Sequence, residues 1–251
     1  MSSINFQVPV IAHRGASRYA PENTLSAFFK AKQLGAQWVE FDVMLSACGE
    51  AVVIHDETLN RTTNGNGIVG DYPYSYLRTL DAGAWFNAKF SGEKIPTFKD
   101  VILCLQEHQL AANVEIKPLP GQEEQTAKKV LADIRDYWTV DMMPPLLSSF
   151  SVPSLRTVRQ NSPDALIGLL IDEWFGGWEE VCDQLQCVSV HLNQRILDEN
   201  VVRHIKAMNR FVLSYTVNDP HRAKELFGWG VDAVFSDDLV AVLAALGRSS
   251  F

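Results

Sequence analysis

Two acidic residues, Glu40 and Asp42, lie two positions apart in the apolar run over residues 37–43. If this run is a β-strand, both carboxylates point to one face and the apolar side chains between and beside them point to the other. Asp and Glu are almost never fully buried without a partner. The pair therefore predicts either a structural ion pair with a basic side chain or a site for a metal ion.

Other reactive side chains lie at the ends of similar runs. Glu115 and Lys117 share one face of a second apolar strand pattern, His13 and Arg14 directly follow the first apolar run, and His55 follows a short run in between. Imidazole can act as a general acid or base near neutral pH, and guanidinium and ammonium groups suit phosphate. These residues predict catalytic histidines and phosphate ligands. Structural histidines and ion-pair partners are the alternative interpretation.

Nine segments have the composition of β-strands, and all but one are followed by a stretch with helical periodicity. The nine are residues 8–12, 37–43, 51–54, 112–117, 146–150, 166–171, 188–192, 211–217 and 233–237. Strands separated by helices require parallel crossovers, so eight such units in 251 residues favour a closed (β/α)₈ TIM barrel. A doubly wound sheet is the alternative fold, and residues 51–54 are predicted to form a hairpin.

The predicted organisation is one barrel domain over residues 1–251, with a small insertion or lid over residues 56–95 after the second barrel strand. The insertion has little periodicity and many turn residues, including Asn64-Gly65-Asn66-Gly67. Connections of this length are usually functional. The sequences Pro21-Glu22-Asn23-Thr24 and Thr97-Phe98-Lys99-Asp100 predict helix starts before and after it.

A barrel places its active site where the carboxyl ends of the strands meet the βα loops. The acidic, basic and histidine side chains described above would therefore converge on one rim. Three carboxylates without cysteine suit one Mg²⁺ or Ca²⁺ better than zinc. The remaining histidines lack comparable neighbours and are predicted to be structural or exposed: His108, His191, His204 and His221.

The amino-acid composition indicates which classes of binding partner and which location to expect. The formal charge of −8 argues against nucleic acid and against anionic membranes, and we expect a small-molecule substrate and no stable membrane association. The amino terminus has no export signal pattern and the four cysteines form no Cys-x-x-Cys pair, so a cytoplasmic location with reduced thiols is expected. The sequence leaves the oligomeric state open.

The residues singled out above occur in motifs that resemble the glycerophosphodiester phosphodiesterase family of the bacterial cytoplasmic type. The motifs follow one another from the first to the seventh barrel strand. They are His13-Arg14-Gly15, Pro21-Glu22-Asn23-Thr24, Glu40-Phe41-Asp42-Val43, His55-Asp56, Leu59-x-Arg61-Thr62-Thr63, Ile95-Pro96-Thr97, Glu115-Ile116-Lys117 and Thr216-Val217-Asn218.

The resemblance implies a barrel with an insertion after its second strand and a metal-dependent hydrolase that converts glycerophosphodiesters into sn-glycerol 3-phosphate and an alcohol. It implies metal ligands at Glu40, Asp42 and Glu115, an acid and a base at His13 and His55, and phosphate contacts at Arg14 and Lys117. In the family the glycerol 2-hydroxyl is thought to attack the phosphorus, and water then opens a cyclic phosphate. Which histidine is the acid stays open.

Two positions depart from the family pattern. Ser46-Ala47-Cys48-Gly49 replaces the usual Thr-x-Asp-Gly turn, and Tyr215 replaces a Trp. Tyr215 is either a substrate-binding residue in the wall of the leaving-group pocket or an aromatic exchange without effect on the substrate. Two other functions stay open: a phospholipase C-like phosphodiesterase, and a catalytically silent barrel that binds phosphodiesters.

Overall fold

A closed barrel of parallel strands forms the centre of the protein in the computed structural model, which describes residue 4 and residues 6–247. The nine strands are β1 (Val10–Ala12), β2 (Trp38–Leu45), β3 (Ala51–Val53), β4 (Ala111–Ile116), β5 (Leu146–Ser149), β6 (Leu166–Ile171), β7 (Ser189–Asn193), β8 (Phe211–Tyr215) and β9 (Ala233–Ser236). Pairing of β1 with both β2 and β9 closes the ring, and β3 is an antiparallel extension of β2. The predicted (β/α)₈ barrel is confirmed.

Helices follow the barrel strands, apart from one short helix in the insertion. They are α1 (Leu25–Gln33), α2 (Tyr74–Leu77), α3 (Phe98–His108), α4 (Glu123–Tyr137), α5 (Val152–Asn161), α6 (Trp178–Gln184), α7 (Glu199–Ala207), α8 (Pro220–Trp229) and α9 (Leu239–Ala245). Within the described residues, none of them is long and apolar enough to cross a bilayer.

The predicted helix starts have the expected caps. The Thr24 side chain accepts a hydrogen bond from the backbone N–H of Ala27 at the start of α1. At the start of α3, Asp100 N–H donates to Thr97 Oγ1 at 3.0 Å, and Thr97 N–H donates to the Asp100 carboxylate at 3.1 Å. This reciprocal pair satisfies two backbone donors that the helix itself cannot.

Alternate side chains of β2 lie in two environments, the core beneath the helices and the interior of the barrel. Val39, Phe41 and Val43 pack outward in the large core beneath the helices, whereas Trp38 lies inside the barrel near its amino end. Phe6 covers that end, with its ring centroid 5.2 Å from that of Trp38. The barrel interior is therefore apolar and closed at the amino end, and its polar side chains lie toward the carboxyl end.

The insertion has a small core of its own, centred on buried residues in β2, β3 and the segment that follows. Its members are Met44, Val52, Ile54, Leu59, Val69, Leu77, Leu80, Ala82 and Ile95. The packing shows that residues 56–95 form an ordered layer against the barrel rather than an extended loop. The domain boundaries stay a prediction, and residues 1–3, 5 and 248–251 lie outside the described part of the chain.

Truncation of the buried Leu77 tests whether this small core stabilises the protein. Leu77→Ala should lower the free energy of unfolding by about 2–5 kcal/mol, because it removes a fully buried side chain and leaves a cavity. The matched control Leu103→Ala, at a position that is 46% exposed on α3, should cost less than about 1 kcal/mol. Urea unfolding measures both, and equal losses would contradict a distinct insertion core.

Candidate active site

A cavity of about 400 Å³ opens at the carboxyl ends of the barrel strands. Seven of the eight residues predicted to form the site line it: His13, Arg14, Glu40, His55, Glu115, Lys117 and Tyr215. The eighth, Asp42, is buried beside them and contacts Arg14 and Lys117. The fold thus brings all eight predicted residues to one place.

Glu40, Asp42 and Glu115 form a carboxylate cluster in which one oxygen from each residue lies within 4.8 Å of the others. The cluster arises because β2 and β4 are parallel neighbours with Asp42 opposite Glu115. Burial, together with repulsion from Asp42, raises the pKa of Glu115 to about 8 and the pKa of Glu40 well above its usual value. Glu40 Oε2 accepts from Arg14 N–H at 2.9 Å, whereas its buried Oε1 has no partner among the described residues.

Among the described residues, Asp42 is the one carboxylate of the cluster with arginine and lysine side chains within 4 Å. Its oxygens lie 3.6 Å from Arg14 Nε and 3.7 Å from Lys117 Nζ, and Asn23 Nδ2 donates to it at 2.8 Å. Burial alone would raise the pKa of Asp42, but Arg14 and Lys117 outweigh burial and lower it. Asp42 therefore has the basic partners of the ion-pair interpretation and also belongs to the carboxylate cluster.

The loop after β1 places Arg14 over the cluster. Arg14 and Gly15 both have positive φ, at 56° and 79°, so the chain turns sharply after His13. A Cβ on Gly15 would lie 2.8 Å from the backbone carbon of Ala27, which leaves no room for a side chain. The Arg14 carbonyl accepts from Asn23 N–H at 3.0 Å, which ties the loop to the residues before α1.

His13 is held by a carboxylate that the sequence analysis did not single out. His13 Nδ1 lies 2.7 Å from Asp237 Oδ1, and Asp237 also accepts from Ser17 Oγ at 3.0 Å and Asn218 Nδ2 at 2.7 Å. Burial opposes ionisation of Asp237, but these hydrogen bonds, led by the one from His13, keep its pKa below the usual value. The other ring nitrogen, His13 Nε2, lies 3.9 Å from Glu40.

His55, which also lines the cavity, has a similar arrangement. Its Nδ1 lies 2.7 Å from Asp56 Oδ1. The hairpin places His55 next to the strand that carries Asp42, because β3 runs back along β2 and Ile54 N–H donates to the Asp42 carbonyl at 3.1 Å. Burial lowers the pKa of His55, which favours the neutral ring. Both histidines therefore have one nitrogen engaged by a carboxylate.

Arg61 connects the insertion to the barrel. It donates to both oxygens of Asp56, at 2.7 and 2.8 Å, and to both oxygens of Glu22, at 2.7 and 2.8 Å. Glu22 in turn accepts from Arg14 Nη1 at 2.8 Å. Donation from Arg61 is the main reason that the pKa of Asp56 is lowered. A continuous chain of hydrogen bonds and ion pairs therefore runs from His55 through the insertion to Arg14.

Three side chains give the cavity an apolar surface, and we call Phe150, Leu170 and Tyr215 its apolar wall. The rings of Phe150 and Tyr215 meet edge to face with centroids 5.9 Å apart. The Tyr215 hydroxyl donates to the Ile171 carbonyl at 2.9 Å, and burial raises its pKa. Tyr215 thus presents its ring, rather than a free hydroxyl, to the cavity.

Comparison with known proteins identifies the family. The profile of the Glycerophosphoryl diester phosphodiesterase family matches residues 13–241. The chain belongs to this family. It is 36% identical over 238 residues to a glycerophosphodiester phosphodiesterase of Caldanaerobacter subterraneus subsp. tengcongensis, covering 91% of this chain and 93% of that protein.

Solved structures of family members have the same fold. A phosphodiesterase of Oleispira antarctica, in complex with the product sn-glycerol-3-phosphate, matches with a TM-score of 0.92 and 38% identity over 95% of this chain and 96% of that one. A glycerophosphodiester phosphodiesterase of Thermotoga maritima matches with a TM-score of 0.76 and 28% identity, covering 98% and 100%. The predicted family and the prediction that the chain is an enzyme, a phosphodiesterase, are confirmed.

One histidine inside this family barrel lies outside the cavity lining. His191 on β7 is fully buried, its Nε2 lies 2.8 Å from Ser189 Oγ, and burial lowers its pKa to about 3. Gly168 on β6 leaves the space for it, since a Cβ there would lie 2.4 Å from His191 Nε2. His191 is therefore a neutral side chain of the barrel interior, as expected from the sequence.

Proton release on metal binding tests the raised pKa values of the cluster. A cation competes with protons for carboxylates, so an ion that binds at pH 7 should displace about one proton from Glu115, whose pKa is about 8. Affinity for Mg²⁺ or Ca²⁺ should then rise by up to about tenfold per pH unit between pH 6 and 8 for each displaced proton and level off above pH 8.

Isothermal titration calorimetry in two buffers of different ionisation enthalpy measures this release. Glu115→Gln removes the titrating carboxyl and should reduce the number of protons released. A pH-independent affinity in the unmodified protein would contradict the assignment of the cluster as the metal site.

Proposed function

We propose that this protein hydrolyses glycerophosphodiesters to sn-glycerol 3-phosphate and an alcohol with the help of one divalent cation. The observation that carries the proposal is the carboxylate cluster at the base of a cavity, flanked by His13 and His55, each with its Nδ1 held by a carboxylate. The Oleispira antarctica phosphodiesterase, which is similar over almost the whole chain, binds sn-glycerol-3-phosphate as its product, which supports this product class.

The donor set fits a hard cation. Glu40, Asp42 and Glu115 offer only oxygen ligands, which suits Mg²⁺ or Ca²⁺. Among the described residues, Oε1 of Glu40 has no partner, and the pKa values of Glu40 and Glu115 are raised. The described protein groups therefore do not compensate the negative charge that these carboxyls carry when they are ionised. A divalent cation bound there would polarise a phosphoryl oxygen of the substrate and offset charge on the phosphoryl group.

The histidines would carry protons. Their Nδ1 atoms are hydrogen-bonded to Asp237 and Asp56, and these hydrogen bonds fix the orientation of each ring. The Nε2 atom of each ring is left to exchange protons in the cavity. One imidazole would take the proton of the attacking hydroxyl, and the other would protonate the departing alkoxide. The two rings belong to different elements, the β1 loop and the hairpin, and so can flank one phosphorus atom.

Arg14 and Lys117 would hold the phosphate. Both line the cavity, and both lie within 4 Å of the buried Asp42, which keeps their charged ends at its base. A guanidinium and an ammonium group are suited to phosphate oxygens. Tyr215 would supply an apolar surface for the substrate through its ring. The small-molecule substrate agrees with the acidic net charge, and the cytoplasmic location stays a prediction.

An assay of sn-glycerol 3-phosphate release tests the function. The protein is incubated with diesters of choline, ethanolamine, glycerol and inositol, with added Mg²⁺ or Ca²⁺ and after chelation. We expect release that chelation abolishes and metal restores. Undiminished activity after chelation would exclude the metal role. Binding without release would favour the silent barrel, and cleavage of an inositol lipid without release of glycerol 3-phosphate would favour a phospholipase C.

Replacement of the histidines tests the proton-transfer roles. His13→Ala and His55→Ala should each lower kcat by at least about 10²- to 10⁴-fold, the range typical of acid–base groups. The control His221→Ala, at an exposed position on α8, should leave kcat unchanged. Circular dichroism confirms folding of all three. Near-normal turnover by either His13→Ala or His55→Ala would contradict the assignment.

A further inference from the structure

The strand order places Arg195 on the side of the cavity opposite the carboxylate cluster. Around the ring the strands follow the order β1, β2, β4, β5, β6, β7, β8 and β9, so β7 is four strands away from β2 in either direction. Arg195 lies in the short turn Gln194–Ile196 that follows β7, and it lines the cavity. It therefore faces the part of a bound diester that lies farthest from Glu40 and Asp42.

The short turn that carries Arg195 is held at three points. Asn193 Oδ1 accepts from the Arg195 backbone N–H at 3.0 Å, and the Gln194 side chain donates to the Thr216 carbonyl. The Arg222 guanidinium donates to the Gln194 carbonyl from the other side. Because its backbone is fixed in this way, Arg195 extends from a defined position on the rim even though its side chain is exposed.

Arg195 differs from the other two cations of the cavity in its partners. Arg14 contacts Glu22 and Asp42, and Lys117 contacts Asp42. Within the described part of the chain, no carboxylate oxygen lies within 4.0 Å of the Arg195 guanidinium. The neighbouring acid, Asp172, accepts instead from Asn193 Nδ2 at 2.7 Å. The charge of Arg195 is therefore available to a ligand.

The surroundings of Arg195 offer few other polar groups to a ligand. The amides of Asn193 and Gln194 and the hydroxyl of Tyr215 are already engaged by protein groups. Phe150 and Leu170 add apolar surface. A carbon skeleton can lie against this apolar wall, with the guanidinium donors of Arg195 directed at its oxygen atoms.

We propose that Arg195 selects the leaving alcohol, favouring uncharged polyhydroxy alcohols such as glycerol and inositol over choline and ethanolamine. Hydroxyl oxygens accept hydrogen bonds from a guanidinium, whereas ammonium headgroups carry the same charge and are repelled. The aromatic pair Phe150 and Tyr215 attracts cations, but an unpaired cation on the same side opposes that attraction. The inference rests on the proposed hydrolysis of glycerophosphodiesters.

Arg195→Gln tests the selectivity. The kcat/KM values are measured for glycerophosphoglycerol, glycerophosphoinositol and glycerophosphocholine, with saturating metal. The preference for either polyol diester over the choline diester should fall by about three- to tenfold, because a charge that repels choline and a set of donors for hydroxyls are both removed. Arg195→Lys, which retains the charge, should keep most of the discrimination against choline. Raising the ionic strength should weaken that discrimination in the unmodified protein.

Arg156→Gln is the matched control, since Arg156 is exposed on α5, away from the cavity, and its loss changes the net charge equally. An unchanged preference in Arg195→Gln would overturn the inference. Equal losses for all three substrates would overturn it too, because Arg195 would then act on their common part. If the unmodified protein hydrolyses none of the diesters, the proposed function itself fails, so the two failures are distinguishable.

Discussion

Burial of three carboxylates in one corner of the barrel is the constraint that organises this structure. Two like charges about 4 Å apart repel by roughly 4 kcal/mol at an effective dielectric constant of about 20, so Glu40, Asp42 and Glu115 cannot all be ionised there without compensation. Two cations contact the ionised Asp42, and the pKa of Glu115 rises to about 8. The positive-φ turn after β1, which carries Arg14, and the hydrogen bond from Asn23 to Asp42 both place protein groups against these three carboxylates.

The ion-pair chain through Arg61 explains why an insertion belongs beside this corner. Asp56 holds His55 and is itself held by Arg61, which also binds Glu22. Glu22 contacts Arg14, so a single guanidinium at the rim links the hairpin, the insertion and the first βα loop. The small apolar core beneath residues 56–95 gives this link a rigid support. Displacement of the insertion would disturb both His55 and Arg14.

Much of this arrangement could be predicted from the sequence, because period-two alternation on β2 and β4 and the strand-end positions of His13 and His55 are local signals. Asp237 was missed although it also ends a strand, since its partner His13 lies 224 residues away and no spacing links them. Phe150 and Arg195 were missed for a related reason. Both line the cavity once the ring has closed, and no local pattern in the sequence marks them.

The insertion core could not be predicted in the same way. Met44 and Val52 lie on β2 and β3, but the other members lie in short helical turns and at single buried positions, so neither helical nor strand periodicity develops over residues 56–95. The choice between ion pair and metal for Glu40 and Asp42 also needed coordinates. Both carboxylates share one strand face, yet among the described residues only Asp42 has arginine or lysine side chains within 4 Å.

The apolar layer at the amino end of the barrel affects where reactants enter the cavity and where products leave it. Among the described residues, Trp38 and Phe6 pack at that end, and the cavity opens at the carboxyl ends of the strands. In the proposed reaction the alcohol must leave by the opening through which water enters, so departure of the first product and arrival of the second reactant are consecutive events. An alcohol at high concentration would compete with water at that opening and favour return of the phosphoryl group to an alcohol.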